Sequence, residues 1–148
     1  MPLVTLCLRM HEPFRLNPDG TTLLWDEQNR NTCTHRAEHC YLPTLRLFTE
    51  LVKTHVDFKI SYCLSGPFLE QAEQYDARVI GALAESFDAG RYTRKVELLE
   101  PTYYHSLTSF FSDKRQTEFK EQVSLHRQRI HDLFDVRPTA FANTELLY

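Results

Sequence analysis

The chain has 148 residues, of which 42% are hydrophobic and 25% charged, and its formal net charge is −3. This is ordinary globular composition, and the lack of a basic excess argues against nucleic acid as the main partner. No segment approaches the roughly 18 consecutive apolar residues of a membrane span, and the amino terminus reaches Arg9 without a basic leader. We therefore expect a soluble protein with no membrane association and, by default, a cytoplasmic location.

Four short segments have the composition of β-strands: Val4 to Met10, Phe58 to Leu64, Val96 to Leu99 and Thr139 to Phe141. The second alternates apolar and polar residues before Ser65-Gly66-Pro67 breaks the pattern. After the first strand, Asn17 to Thr34 is polar and rich in turn-forming residues, which predicts a long loop. Long loops of this kind often shape a binding site.

Helical periodicity separates the predicted strands. Apolar residues recur mainly at three- and four-residue spacings in Leu42 to Val52, Val79 to Phe87 and Phe119 to Phe134. Gly90 and Pro138 follow the last two segments as stop signals. The predicted order is therefore β-α-β-α-β-α-β. Because strands separated by helices pair in parallel through right-handed crossovers, the sequence predicts an α/β fold built from parallel β/α units.

The fourth predicted strand lies directly before the end of the sequence, at Tyr148. It therefore has no covering helix of its own, which a truncated barrel or larger sheet explains better than a complete small sheet. We expect residues 1–148 to form a single domain that is the amino-terminal portion of such a barrel. The sequence leaves the oligomeric state open.

Polar and aromatic side chains follow every predicted strand: His11-Glu12-Pro13-Phe14, Ser65-Gly66-Pro67-Phe68, Tyr103-Tyr104-His105-Ser106 and Asn143-Thr144-Glu145. In a parallel α/β fold these four loops share one rim. The sequence has no glycine-rich phosphate loop and no G-x-S-x-G motif, so neither a nucleotide nor any other cofactor is expected. Carboxylates, imidazoles and aromatic rings are the groups that bind and cleave sugars.

These segments resemble, in the same order, the motifs of glycoside hydrolase family 57. His11-Glu12-Pro13 resembles the opening His-Gln-Pro motif, with Glu12 in place of the usual glutamine. Cys40-Tyr41-Leu42-Pro43 resembles the start of the first long helix, and Tyr103 to Leu107 the motif of the third strand. Asn143 to Tyr148 resembles the block that carries the catalytic nucleophile. The resemblance covers nearly the whole chain.

The resemblance implies an incomplete (β/α)7 barrel and a retaining glycoside hydrolase or glucanotransferase, α-amylase-like, that acts on α-glucans. It assigns the nucleophile to Glu145 and a hydrogen bond with the sugar next to the scissile bond to His11. Further candidates for substrate binding are His105, Tyr103, Tyr104 and Trp25. For His105, tying its loop to the barrel is an equal alternative, and for Trp25 loop packing is at least as good an interpretation as stacking on a sugar.

A retaining mechanism also needs a second carboxyl group as acid/base, about 5–5.5 Å from the nucleophile. The resemblance implies that this group is an aspartate on a later strand, beyond residue 148. Glu12 and Glu100 lie near the predicted rim but do not align with it. We therefore expect the 148-residue chain to be inactive alone.

Two alternatives remain open at this point. Polysaccharide deacetylases have a related barrel and bind a metal, but here the first strand ends in His11-Glu12 instead of paired aspartates, and Ser109 stands where a second histidine ligand belongs. A non-catalytic fragment that binds carbohydrate or metal is the other. Cys33 to Cys40 holds two cysteines and two histidines, yet the spacing is too short for a zinc finger, so no metal site is predicted.

The remaining polar residues predict surfaces. His126 and His131 lie about 140° apart around the last helix, on a face predicted to be solvated. Glu70 and Glu73 are predicted to be surface charges. The four cysteines are too few for a disulfide scaffold and are expected to be reduced.

Overall fold

A computed structural model describes residues 4–147 of the chain. It contains one sheet of four parallel strands: β1 (Cys7–Met10), β2 (Ile60–Leu64), β3 (Val96–Glu100) and β4 (Ala140–Phe141). Their order in the sheet, β1-β2-β3-β4, is the order of the chain. The predicted parallel α/β architecture is confirmed. Strands β1, β2 and β4 lie inside their predicted segments, and β3 extends one residue beyond its segment, to Glu100.

Five α-helices connect the strands: α1 (Asp26–Arg36), α2 (Leu42–Thr54), α3 (Gly66–Tyr75), α4 (Arg78–Gly90) and α5 (Thr117–Phe134). The three predicted helices correspond to α2, α4 and α5. The predicted alternation of single strands and single helices is wrong for the first two connections, because α1 precedes α2 and α3 precedes α4. Among the helices of residues 4–147, none is both long and apolar enough to cross a lipid bilayer.

The predicted loop over Asn17 to Thr34 is wrong in its second half, which forms most of α1. This helix is polar on nearly all sides and buries only Asn29 and Cys33, so it has no apolar periodicity to find. Acidic residues in its first turn and basic residues in its last turn suit the helix dipole. A π-helical turn, Ala37–Tyr41, then joins α1 directly to α2.

The Ser-Gly-Pro sequence that ends β2 also begins α3, which is why this helix was not predicted. The Ser65 side chain caps the helix by accepting a hydrogen bond from the backbone N–H of Phe68, and Pro67 lies in the first turn. Proline suits that position because its missing N–H would have no partner within the helix anyway. The signal that reads as a strand break is therefore also a helix start.

The helices cover one face of the sheet, where alternate strand residues enter a single hydrophobic core. The strand residues in or packed against this core are Leu8, Met10, Ile60, Tyr62, Leu64, Val96 and Leu98. They pack with Leu45 of α2 and Leu83 of α4, both fully buried. Because successive side chains of a strand point to opposite faces, Arg9 and Cys63, which are paired in register, lie on the other face.

All four cysteines are free thiols. Burial raises the pKa of Cys33 and of Cys63 to about 11. Both therefore carry neutral thiols at neutral pH and act as small packing groups.

The prediction of a solvated face is wrong for His126, which is fully buried. Its Nε2–H donates a hydrogen bond to the backbone carbonyl of Leu64 at the end of β2, with Nε2 2.7 Å from the oxygen. The buried stripe of α5 consists of Gln122, His126, Ile130 and Phe134. Because half of that stripe is polar, its composition does not identify it as a buried face.

Candidate active site

Side chains that follow all four strands meet at the carboxyl edge of the sheet. The rings of His11, after β1, and His105, after β3, lie 4.6 Å apart between centroids. His105 Nε2 is 3.0 Å from Oε1 of Glu145, which follows β4. On the opposite side of His11, its Nδ1 is 2.8 Å from Oγ of Ser65, which follows β2. The four strand ends thus form one continuous chain of side-chain contacts.

Glu145 is the exposed member of this chain, with 67% of its side chain accessible to solvent. It lies in a short 3₁₀ turn, Thr144–Leu146, and its φ of +53° is in the left-handed region, as is that of Leu146. Such a backbone costs about 1–3 kcal/mol for a residue with a side chain, and it is typical of functional sites. Tyr148, the last residue of this motif, lies outside the described residues.

The turn that carries Glu145 is fixed by its neighbours. The Asn143 amide donates to Oγ of Ser109, at 3.0 Å, and to the backbone carbonyl of Leu147. Thr144 Oγ1 lies 3.1 Å from Thr102 Oγ1, a buried contact with the loop after β3. The loop that bears His105 therefore also holds the turn that bears Glu145.

Arg9 belongs to this site, although it was not among the predicted site residues. Its Nη1 lies 3.6 Å from Oε1 of Glu145, and its Nη2 donates to the carbonyl of Asn143 at 3.2 Å. The guanidinium therefore places a fixed positive charge beside the carboxylate. Its position, a cation two residues before His11 on a predicted strand, was the available signal.

His105 has the structural role considered for it, and its ring also lies beside Glu145 and His11. It contacts Glu145 and His11, and it is mostly buried in a tight loop where its backbone N–H donates to the carbonyl of Thr102, at 3.1 Å. Its φ of +55° lies in the left-handed region. Burial, and secondly the adjacent His105, lower the pKa of His11. His11 is therefore neutral at neutral pH.

The other predicted substrate contacts differ in accessibility. Tyr103 is only 4% exposed and donates from its hydroxyl to Oε1 of Glu70, at 2.5 Å. Its ring lies where a side chain on Gly66 would be, so Gly66 permits this packing. Tyr104, in edge contact with Tyr103, is 53% exposed at the same rim. Trp25, 39% exposed, precedes α1 and is joined through its backbone N–H to the carbonyl of Arg15.

Glu70 is not the free surface charge that the sequence predicts, because it is partly buried and accepts the Tyr103 hydroxyl. Burial, followed by this hydrogen bond, raises the pKa of Tyr103 above its usual range. Glu73, by contrast, is exposed as predicted and forms an ion pair with Arg129. The sequence could not separate the two glutamates because they lie on one helix, three positions apart.

Two carboxylates near the rim, those of Glu12 and Glu100, form ion pairs with arginine side chains. Glu12 is fully buried, with Arg36 Nη1 2.6 Å from Oε2 and Arg15 Nη2 3.0 Å from Oε1, and it also accepts the Tyr41 hydroxyl at 3.0 Å. Both oxygens of Glu100 accept from Arg127, each at 2.8 Å. These pairings occupy the carboxylate oxygens and give each group a structural partner in place of a substrate.

The Cys33 to Cys40 segment lies in α1 and the π-helical turn. His35 and His39 lie on the same face, with ring centroids 4.5 Å apart. Cys33 points the other way, is buried, and lies 3.6 Å from the carbonyl of Gln71. Within the described part of the chain, no group of three or more His, Cys, Asp or Glu side chains has the arrangement of a metal site.

Known proteins resemble the chain over nearly its whole length. A family model described as "Glycosyl hydrolase family 57" matches residues 5–148. A Methanocaldococcus jannaschii protein named "Putative alpha-amylase" is 35% identical over 155 aligned residues, which cover 99% of the chain and 32% of that protein. The chain thus spans about a third of the length of this curated relative.

The crystal structure of 4-alpha-glucanotransferase from Thermococcus litoralis superposes with a TM-score of 0.62 at 16% sequence identity. The match covers 97% of the chain and 19% of that protein. At this identity the likeness shows a shared fold.

Proposed function

Because the chain belongs to glycosyl hydrolase family 57, we propose that its site is part of a retaining glycoside hydrolase or glucanotransferase that acts on α-glucans, with Glu145 as the nucleophile. The observation that carries this proposal is the position of the Glu145 carboxylate. It is exposed at a strand end, lies between Arg9 and His105, and is joined through His105 to His11. The family match argues for this function over a deacetylase-like one.

Glu145 attacks the anomeric carbon of the sugar and forms a covalent glycosyl-enzyme intermediate. Arg9 and His105 hold the carboxylate in one orientation, with the positive charge of the guanidinium beside it. Neutral His11 contributes a hydrogen bond to the sugar. Water or a second sugar then releases the intermediate, which gives hydrolysis or glucan transfer respectively.

The proton for the leaving oxygen comes from a second carboxyl group outside these 148 residues. Supporting this, Glu12 and Glu100 are each committed to arginine partners. The chain also corresponds to about a third of its relative's length, so other parts of such an enzyme can supply the group. The 148-residue chain is therefore inactive on unactivated glucans.

An activated substrate separates the nucleophile from the missing acid. Fluoride leaves without protonation, so 5-fluoro-α-glucosyl fluoride needs only the nucleophile to form a covalent adduct. We expect mass spectrometry of the labelled 148-residue chain to locate the sugar on Glu145 and to find no adduct in Glu145→Gln. The control Glu70→Gln removes a nearby carboxylate and should still be labelled.

Labelling at another carboxylate, or equal labelling of Glu145→Gln, would disprove the role of Glu145. Maltooligosaccharides test the second part of the proposal. If the 148-residue chain hydrolyses them at a rate that Glu145→Gln abolishes, the acid/base must lie within the chain.

A further inference from the structure

Ser65 holds His11 in two ways. Its side-chain Oγ is 2.8 Å from His11 Nδ1, and its backbone N–H donates to the carbonyl of Met10, the residue before His11, at 3.1 Å. Ser65 is itself held at the junction of β2 and α3, where it is nearly fully buried and caps the helix. The imidazole is therefore attached to a rigid part of the fold.

The direction of the Ser65–His11 hydrogen bond follows from the inventory of donors. A serine hydroxyl has one proton to donate and two lone pairs that accept. Oγ of Ser65 already accepts from the Phe68 N–H, at 3.4 Å, and within residues 4–147 its only other polar partner is Nδ1 of His11. If Nδ1 carried the imidazole proton, the buried hydroxyl proton would have no acceptor, which native structures avoid. The hydroxyl therefore donates to Nδ1.

The proton of neutral His11 must then be on Nε2. Among the described residues Nε2 has no hydrogen-bond partner, and it is not one of the buried unpaired polar atoms. It is thus accessible at the rim. The His11 ring lies beside the ring of His105, which in turn contacts Glu145. An N–H in this position can donate only to a ligand or to solvent.

We propose that Ser65 is a positioning residue that fixes His11 as an Nε2–H donor toward the site. This rests on the proposed function for the identity of the acceptor, a hydroxyl or ring oxygen of an α-glucan. The tautomer of His11 does not depend on that function. Ser65 thereby determines that His11 recognises an acceptor atom and rejects a ligand that offers only donors at the same point.

Nitrogen NMR of ¹⁵N-histidine-labelled chain at a pH above the titration of His11 tests the proposal. His11→Gln identifies the signals. In the unmodified chain we expect Nδ1 of His11 to have the shift of an unprotonated nitrogen and Nε2 that of a protonated one. In Ser65→Gly both signals should move toward the averages of a tautomer mixture, and Ser65→Thr should restore the original pattern. Glycine is chosen because it caps a helix nearly as well as serine.

Ser86→Ala is the matched control, because it removes another buried serine hydroxyl, bonded to Tyr62, at a distance from the site. It should leave the His11 signals unchanged. A proton on Nδ1 in the unmodified chain would overturn the proposal, as would a tautomer that stays fixed in Ser65→Gly. The unmodified chain alone decides the first point, whether or not the variants fold.

Binding of maltotriose, followed in the same spectra, tests the ligand. We expect Ser65→Gly to weaken it about fivefold, the effect of one hydrogen bond, and Ser65→Thr to restore it. If the tautomer behaves as expected and no maltotriose binds to any form, positioning by Ser65 stands and the α-glucan function fails.

Discussion

The Glu12 carboxylate is fully buried, and Glu12 directly follows His11 of the candidate site in the sequence. It is stabilised by Arg36, Arg15 and Tyr41, and its backbone carbonyl accepts from Gln71. The two arginines reach solvent while the carboxylate does not. The cost of breaking this cluster therefore depends on which partner is removed.

We expect Arg36→Ala to lower the free energy of unfolding by about 2–3 kcal/mol, because the buried Glu12 carboxylate then keeps only Arg15 and Tyr41 as partners. Glu12→Gln should cost only about 1 kcal/mol, since the neutral amide still reaches Tyr41 and the arginines can be hydrated. Urea denaturation measures both. The control Arg30→Ala breaks an exposed pair with Asp26 and should change stability by less than about 0.5 kcal/mol. Equal losses for Arg36→Ala and Glu12→Gln would contradict this account.

His126 gives the chain a pH-dependent stability. Burial is the main cause that lowers the pKa of His126 in the folded chain, below the ordinary value of about 6.5 that applies when the chain is unfolded. The unfolded chain therefore binds a proton more readily than the folded one. The resulting stabilisation is complete above about pH 6.5 and is lost as the pH falls through the lower, folded-state pKa.

We expect the free energy of unfolding to fall as the pH drops below about 6.5, and to fall less in His126→Gln, which cannot be protonated. Glutamine can still donate to the carbonyl of Leu64. His131→Gln, at a partly exposed position of the same helix, should keep the dependence of the unmodified chain. If His126→Gln keeps it as well, other groups are responsible; His11, whose pKa is also lowered, is the first candidate.

Helices α1 and α2 differ in how they are held. Helix α1 is polar and has its ends fixed by side chains, as at Asp26, whose Oδ1 accepts the Tyr75 hydroxyl at 2.6 Å. Helix α2 has a clear apolar face that packs on the core. Helix α2 therefore depends on side-chain volume, whereas α1 depends on hydrogen bonds.

Leu45 and Leu47 test this dependence within one helix. Leu45 is fully buried in the core and Leu47 is largely exposed. Leu45→Ala should lower the free energy of unfolding by about 2–5 kcal/mol, and Leu47→Ala by less than about 0.5 kcal/mol. Comparable losses in urea denaturation would mean that α2 packs through a different face.

The same contrast determines which elements could be predicted. Strands β1, β2 and β3 and helices α2, α4 and α5 contribute apolar residues to the core, so the sequence contains their pattern. The polar helix α1 and the short helix α3 do not repeat such a pattern for long enough.

In the site, Glu145, His11 and His105 could be selected because they stand in recognisable motifs. Arg9 and Ser65 stand near predicted strand ends, but their roles could not be predicted, because these arise from partners 134 and 54 positions away along the chain. Only the folded sheet brings these pairs together.

At the scale of the molecule, one core joins the helices to the sheet, and we expect the chain to unfold as a single unit. Trp25, the only tryptophan, reports on the entry to α1, while far-ultraviolet circular dichroism reports on all helices. The two urea transitions should coincide. If the fluorescence of Trp25 changes at a lower urea concentration, α1 and its loop separate from the core first, and the prediction of one cooperative domain fails.

The order of the strands in the sheet also affects how the protein is made. Each strand after β1 pairs with the strand that precedes it in the chain, so its partner has already left the ribosome when it emerges. No strand has to wait for a later one. Glu145 comes last, after Arg9, His11, Ser65 and His105 have all been synthesised. During translation, Glu145 therefore reaches the edge of the sheet when these four side chains are already present.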